Sequence, residues 1–111
     1  MNTLHVQDLV NFLQTEAARS PVLLDVREPW EIAQAALAVP GTPTLAIPMQ
    51  QIPARLGELD AASPVVCVCH HGMRSAQVAL FLLRNGFTEV FNLSGGIDAW
   101  SVLVDASVPR Y

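Results

Sequence analysis

The sequence predicts an α/β fold, a parallel sheet covered by helices on both faces. Three observations carry that reading. The apolar runs Val22-Leu23-Leu24-Asp25-Val26 and Val65-Val66-Cys67-Val68 are continuous rather than alternating, as in strands buried on both faces. Segments of helical character separate such runs, and strand–helix alternation is the signature of a parallel sheet with crossover connections. About half of the 111 residues are apolar and 14% are charged. That suffices for the core of one ordinary domain and argues against disorder.

Taken in order, Leu9, Phe12, Leu13 and Ala17 recur at helical spacing, with Asp8 favourably placed in the first turn. Pro21 interrupts, and residues 22–26 form the first strand of the reading. Arg27-Glu28-Pro29-Trp30-Glu31-Ile32 fits a turn and a short helix, because proline is tolerated in a first helical turn. Pro40, Gly41, Pro43, Pro48 and Pro53 break up the middle of the chain. Between them Thr44-Leu45-Ala46-Ile47 reads as a short strand, and Gln50 to Leu59 as a helix with Ile52 and Leu56 on one side. The strand Val65 to Val68 leads through a loop into a helix that ends at Asn85-Gly86, a pair suited to a left-handed C-terminal cap. That helix is apolar nearly all round and is expected to be deeply packed. Glu89 to Leu93 gives a last strand, Gly95-Gly96 a tight turn, and Ile97 to Leu103 a final helix. No repeat, long linker or low-complexity run is present.

Charge narrows the partners. The net charge is −4, and the six basic residues, all arginine, are scattered. No basic stripe exists to neutralise phosphates, so no nucleic-acid partner is expected. No apolar run approaches the ~18–20 residues of a membrane span, so no membrane partner is expected either. No basic region followed by an apolar segment marks a secretory signal. Cys67 and Cys69 are separated by one residue, and a disulfide so local would close a strained ring. Reduced thiols and a cytoplasmic location are the expectation.

The chemistry concentrates in Cys69-His70-His71-Gly72-Met73-Arg74-Ser75. A cysteine stands where a strand stops, a glycine-containing loop follows, and a helix begins. Loop N–H groups and the positive end of a helix then converge on the sulfur and stabilise a thiolate. In parallel sheets ligands bind beyond the carboxyl ends of the strands, where Cys69 is expected. Cys69 is therefore the candidate catalytic nucleophile, and His70, His71, Gly72, Met73, Arg74 and Ser75 are the candidate substrate-binding loop. Gly72 is expected to turn the loop with its amides inward, by positive φ or by close approach. Arg74 either attracts an anionic donor or braces the loop through Asp25 or Glu31, and the residues leave both open. Ser75 is expected to cap the helix, with a bond to the sulfur group on Cys69 as the alternative. His70 and His71 are expected to line the entrance. Cys67 reads as a small apolar core residue, Trp30 and Trp100 as packing, and Asp25 as a structural carboxylate at a strand end. No metal or other cofactor is expected, because the Cys67–His71 cluster lacks a second ligand group and His5 is the other histidine.

Four places resemble one known family, the single-domain rhodanese-like sulfurtransferases. They are Leu24-Asp25-Val26-Arg27-Glu28 with Trp30-Glu31, then Pro40-Gly41 and Ile47-Pro48, the loop from Cys69 to Ser75, and Gly95-Gly96-Ile97-Asp98-Ala99-Trp100. The loop is the most specific of the four. One position departs: Ala38 stands where members often carry a histidine two residues before the Pro-Gly, and this bears on acceptor recognition there. The resemblance implies a three-layer α/β/α sandwich around a five-stranded parallel sheet, with residues 1–111 as one rhodanese domain. It implies transfer of a sulfane sulfur through a Cys69 persulfide, from a small donor such as thiosulfate to cyanide, a thiol or a protein acceptor. The alternatives are a persulfide carrier or regulatory module, and, less favoured, an arsenate reductase or cysteine phosphatase. The last two generally place five residues between Cys and Arg, often with His before the Cys. Here four residues separate Cys69 from Arg74, and Val68 precedes the cysteine. In the resembling families the shorter loop goes with sulfur.

Overall fold

The strands Asn2–His5 (β1), Val22–Asp25 (β2), Thr44–Ala46 (β3), Val65–Val68 (β4) and Val90–Ser94 (β5) pair in one sheet, in the order β1-β5-β4-β2-β3. Every pairing is parallel. The structure is a computed structural model that describes residues 2–111. Among the described residues, four α-helices accompany the sheet: α1 (Leu9–Thr15), α2 (Pro29–Gln34), α3 (Met73–Arg84) and α4 (Gly96–Leu103). Among the described residues no helix is long and apolar enough to cross a membrane.

β4 lies between β2 and β5, so both of its faces are covered and all four of its residues are buried. Its side chains alternate between two cores. Val66 and Val68 join Leu9, Leu13, Leu93, Ile97 and Trp100 on the face of α1 and α4. Val65 and Cys67 join Leu24, Ile47, Val78, Ala79 and Leu82 on the face of α3. This is the expected three-layer sandwich. The continuous apolar run of β4 follows from its central place.

Four features differ from the sequence reading. β1 was not legible, because Asn-Thr-Leu-His is polar and its strand forms an exposed edge against β5. The expected helix over Gln50 to Leu59 is instead two 3-10 turns, Met49–Gln51 and Pro53–Glu58. Pro53 has no N–H to continue a helix from the first turn, and Arg55 leaves helical geometry at φ −114° and ψ 17°. α3 buries one face, through Ser75, Val78, Ala79 and Leu82, while Met73 and Leu80 are exposed. Trp100 packs in the core as expected, but Trp30 is 62% exposed. The Asn85-Gly86 end behaves as expected: the Phe87 N–H donates to Leu82 O at 3.1 Å, closing the last turn.

Candidate active site

Cys69 sits one residue beyond the end of β4, 1% exposed. Two donors reach its sulfur. The Gly72 N–H lies 3.0 Å from Sγ and the Ser75 hydroxyl 3.2 Å. Gly72 reaches this position at φ +102°, and a Cβ there would press on the Gly95 nitrogen. Glycine is needed on both grounds.

The loop backbone is held from behind by α4. The Ile97 N–H donates to Cys69 O at 2.9 Å and the Asp98 N–H to Cys69's neighbour His70, on its carbonyl, at 3.1 Å. First-turn amides that lack intrahelical partners are thereby satisfied, and so are two loop carbonyls. Gly96, at φ +60°, permits the approach: a Cβ there would collide with the carbonyls of Cys69 and His70. The Gly-Gly motif is thus a seat for the cysteine loop as well as a turn. Among the described residues, the amides of His70, His71, Met73, Arg74 and Ser75 donate to no protein acceptor. Amides left unpaired at a loop and helix N-terminus are the kind of group that can receive an anion.

Ser75 is not the helix cap. Gly72 occupies that place without a side-chain bond, and Ser75 stands in the first turn facing inward. Its hydroxyl meets Asn92 Oδ1 at 2.5 Å as well as Cys69 Sγ. Asn92 Nδ2 in turn donates to Gly72 O at 3.0 Å. Asn92 was missed in the sequence, where its one signal is a polar residue inside a buried strand.

Arg74 braces the loop. Its guanidinium makes a two-point pair with Glu31 at 2.7 and 2.8 Å. The same carboxylate accepts the Glu28 N–H at 3.0 Å and the Tyr111 hydroxyl at 2.8 Å. The Arg74 guanidinium holds the Glu31 carboxyl down at about 2, and Glu31 raises Arg74. Asp25 pairs with Arg27, which is fully buried, at 2.8 Å. Arg27 Nη1 donates to the Tyr111 hydroxyl at 3.0 Å, so Tyr111 links the two ion pairs. Nothing in the local sequence marks Tyr111 for this role.

The histidines divide. His70 is half-buried and stacks between the rings of His71 and Tyr111, each 3.9 Å away. Burial, then the neighbouring His71, lowers its pKa, so it is neutral near pH 7. Among the described residues its Nε2 has no hydrogen-bond partner. His71 is exposed, with Nδ1 4.0 Å from Asp98. Met73 is 78% exposed. Cys67 is fully buried and unpaired, and burial pushes its thiol up to about 12. A cleft of about 580 Å³ is lined by Leu13, Ala38, Pro40, Trp100 and Val104 among others, and by no residue from 69 to 75. The atypical Ala38 therefore borders a different surface.

Comparison with known proteins bears on the family and the fold. The profile of the family described as rhodanese-like domain matches residues 5–103. A sulfurtransferase of Allochromatium vinosum is 40% identical over 80 residues, covering 72% of this chain and 71% of that protein. Thiosulfate sulfurtransferase GlpE of Pseudoalteromonas translucida is 32% identical over 89 residues, covering 80% and 81%. The crystal structure of a rhodanese-like domain protein from Staphylococcus aureus superposes with a TM-score of 0.77 at 29% identity, covering 100% of this chain and 99% of that one.

Proposed function

Because this chain belongs to the rhodanese-like domain family, we propose that it is a sulfurtransferase working through a persulfide on Cys69. The Cys69 thiolate attacks the outer sulfur of a donor such as thiosulfate. The donor's S–S bond breaks, and sulfite leaves with the bonding electrons. Cys69 then carries the sulfur as a persulfide anion. Cyanide or a thiolate attacks that outer sulfur, and the electron pair returns to Cys69. Each half-step is a displacement at sulfur, so the cycle is two-step covalent catalysis.

The observation that carries this reading is the Gly72 N–H aimed at Cys69 Sγ, with the Ser75 hydroxyl in reach of the same sulfur, beside amides that have no protein acceptor. Gly72 and Ser75 hold the inner sulfur. The amides of His70, His71, Met73, Arg74 and Ser75 receive the charge on the outer sulfur. Arg74 and Arg27 are already neutralised by Glu31 and Asp25, so attraction of an anionic donor falls to the backbone. A base is not required for an ionised persulfide.

Intact-mass analysis after thiosulfate exposure tests the proposal. The expected result is a gain of one sulfur, mapped to Cys69 by peptide mass and removed by cyanide. No gain, or a gain on Cys67, overturns it.

A further inference from the structure

Ser75 has one hydroxyl proton and two acceptors in reach, Asn92 Oδ1 at 2.5 Å and Cys69 Sγ at 3.2 Å. The orientation of Asn92 follows from its other contact. Gly72 O, 3.0 Å from the amide nitrogen, can only accept. The nitrogen must face Gly72, and Oδ1 must face Ser75. The Ser75 proton therefore belongs to Asn92 while Cys69 is a neutral thiol, and the Ser75 oxygen turns a lone pair to the S–H. A directed chain results: Cys69 S–H to Ser75 Oγ, Ser75 O–H to Asn92 Oδ1, Asn92 N–H to Gly72 O.

Ionisation disrupts this chain. When Cys69 releases its proton to solvent, a sulfur anion faces an oxygen lone pair. The Ser75 hydrogen must rotate to the sulfur; no bond other than the S–H breaks. A hydrogen bond to an anion is the stronger one, which favours rotation. The rotation leaves Asn92 Oδ1, in a buried residue, without its donor, which opposes it. The asparagine and the thiolate compete for one proton.

We propose that Asn92 is a positioning residue that holds the Ser75 hydroxyl away from the sulfur and so restrains the ionisation of Cys69. The inference rests on Cys69 being the reacting group, and it adds a control on when that group is charged. The other charged or titratable groups around the loop are Cys67 on β4, Asp25 at the end of β2 with Arg27, Glu31 on α2 with Arg74 on α3, the rings of His70, His71 and Tyr111, and Asp98 on α4 with Arg110. β5 contributes Asn92 and no ionisable side chain. Substitutions at 92 and 75 leave all of these in place.

The test is the pH profile of iodoacetamide alkylation, read by peptide mass so that Cys69 and Cys67 are counted separately. It is run on the unaltered protein, Asn92→Ala, Ser75→Ala and the double variant, each checked for native circular dichroism. Asn92→Ala is expected to move half-maximal alkylation of Cys69 to lower pH by about 0.5–1 unit, roughly a three- to tenfold gain in reactive thiolate on the rising limb. Ser75→Ala is expected to move it to higher pH, and the double variant to behave as Ser75→Ala. An asparagine that merely braces Gly72 gives the opposite sign, a shift to higher pH with or without Ser75. That result, or an unmoved profile, overturns the proposal. Asn92→Leu, of similar volume, replaces Asn92→Ala if the alanine variant does not fold, with the same expected sign. Should neither fold, an unmoved Ser75→Ala profile still overturns it. No sulfur donor enters the assay, so its failure is distinct from failure of sulfur transfer.

Discussion

Cys67 and Cys69 belong to the same side of the same strand and its extension, and both are buried, at 0% and 1% exposure. Their surroundings differ entirely. Cys67 lies inside the ladder, opposite Leu24 on β2 and Asn92 on β5. Its backbone groups are used by the sheet, its sulfur meets apolar neighbours, and its thiol is pushed up to about 12. Cys69 stands where the ladder has ended. There the chain turns, and the turn delivers the Gly72 amide and the Ser75 hydroxyl to the sulfur. Exposure does not separate the two cysteines. What separates them is whether polar donors are aimed at the sulfur.

Exchange of the thiols themselves is the strongest way to break this contrast. Cys69→Ser is expected to abolish donor-dependent sulfur loading, a loss on the order of a thousandfold or more, as for removal of a covalent nucleophile. Cys67→Ala is expected to keep loading while lowering stability by about 1–2 kcal/mol through lost packing. Loading lost in a normally folded Cys67→Ala protein would end the distinction.

The seat of the loop comes next. Gly96→Ala sets a side chain against the carbonyls of Cys69 and His70. An unfolding loss on the order of 2–4 kcal/mol and impaired loading are expected. Denaturant unfolding and mass loading unchanged from the parent would show that α4 does not hold the loop.

Acid sharpens the comparison further, since it acts on the frame around Cys69 and not on Cys67. The folded-state carboxyl of Glu31 lies at about 2, below its ordinary 4.5, because Arg74 pairs with it. Its contribution is therefore present above about pH 4.5 and is lost as pH falls toward 2, on the order of 2–3 kcal/mol. Glu31→Gln should flatten that part of the stability–pH curve. An equally steep acid decline in the variant would place the effect elsewhere.

The smallest expected effect is that of Tyr111→Phe. It removes one acceptor from Arg27 and one donor from Glu31 while the ring remains beside His70. A loss of about 1 kcal/mol in denaturant unfolding is expected, with loading by thiosulfate largely kept. A loading defect without a stability change would assign the hydroxyl a larger part in the site.

The legible parts of the fold were those where local pattern and tertiary placement agree. β4 was read with its observed bounds because a central strand is apolar on both faces. Proline at the start of α2 and Asn85-Gly86 at the end of α3 marked those boundaries by backbone restriction alone. β1 was illegible because an edge strand exposes most of its residues and is held by pairing with β5. The loop from Cys69 to Ser75 was legible as a unit, but which of two duties Ser75 takes, helix cap or bond to the sulfur group, was not. A helix cap and an inward-facing hydroxyl look alike in one dimension.

The amino-acid order by itself determined the α/β class, the position of the cysteine loop at a strand-to-helix junction, and the core role of Cys67. Each follows from interactions within a few residues or from one-dimensional polarity. Tertiary structure alone decided that Arg74 goes to Glu31 and not to Asp25, that Gly96 seats the loop, and that Asn92 and Tyr111 join the site. Those contacts link residues 17 to 84 positions apart. A hydrogen bond needs its partners within about 3 Å and correctly directed, and only the packed sheet brings such distant residues to that range.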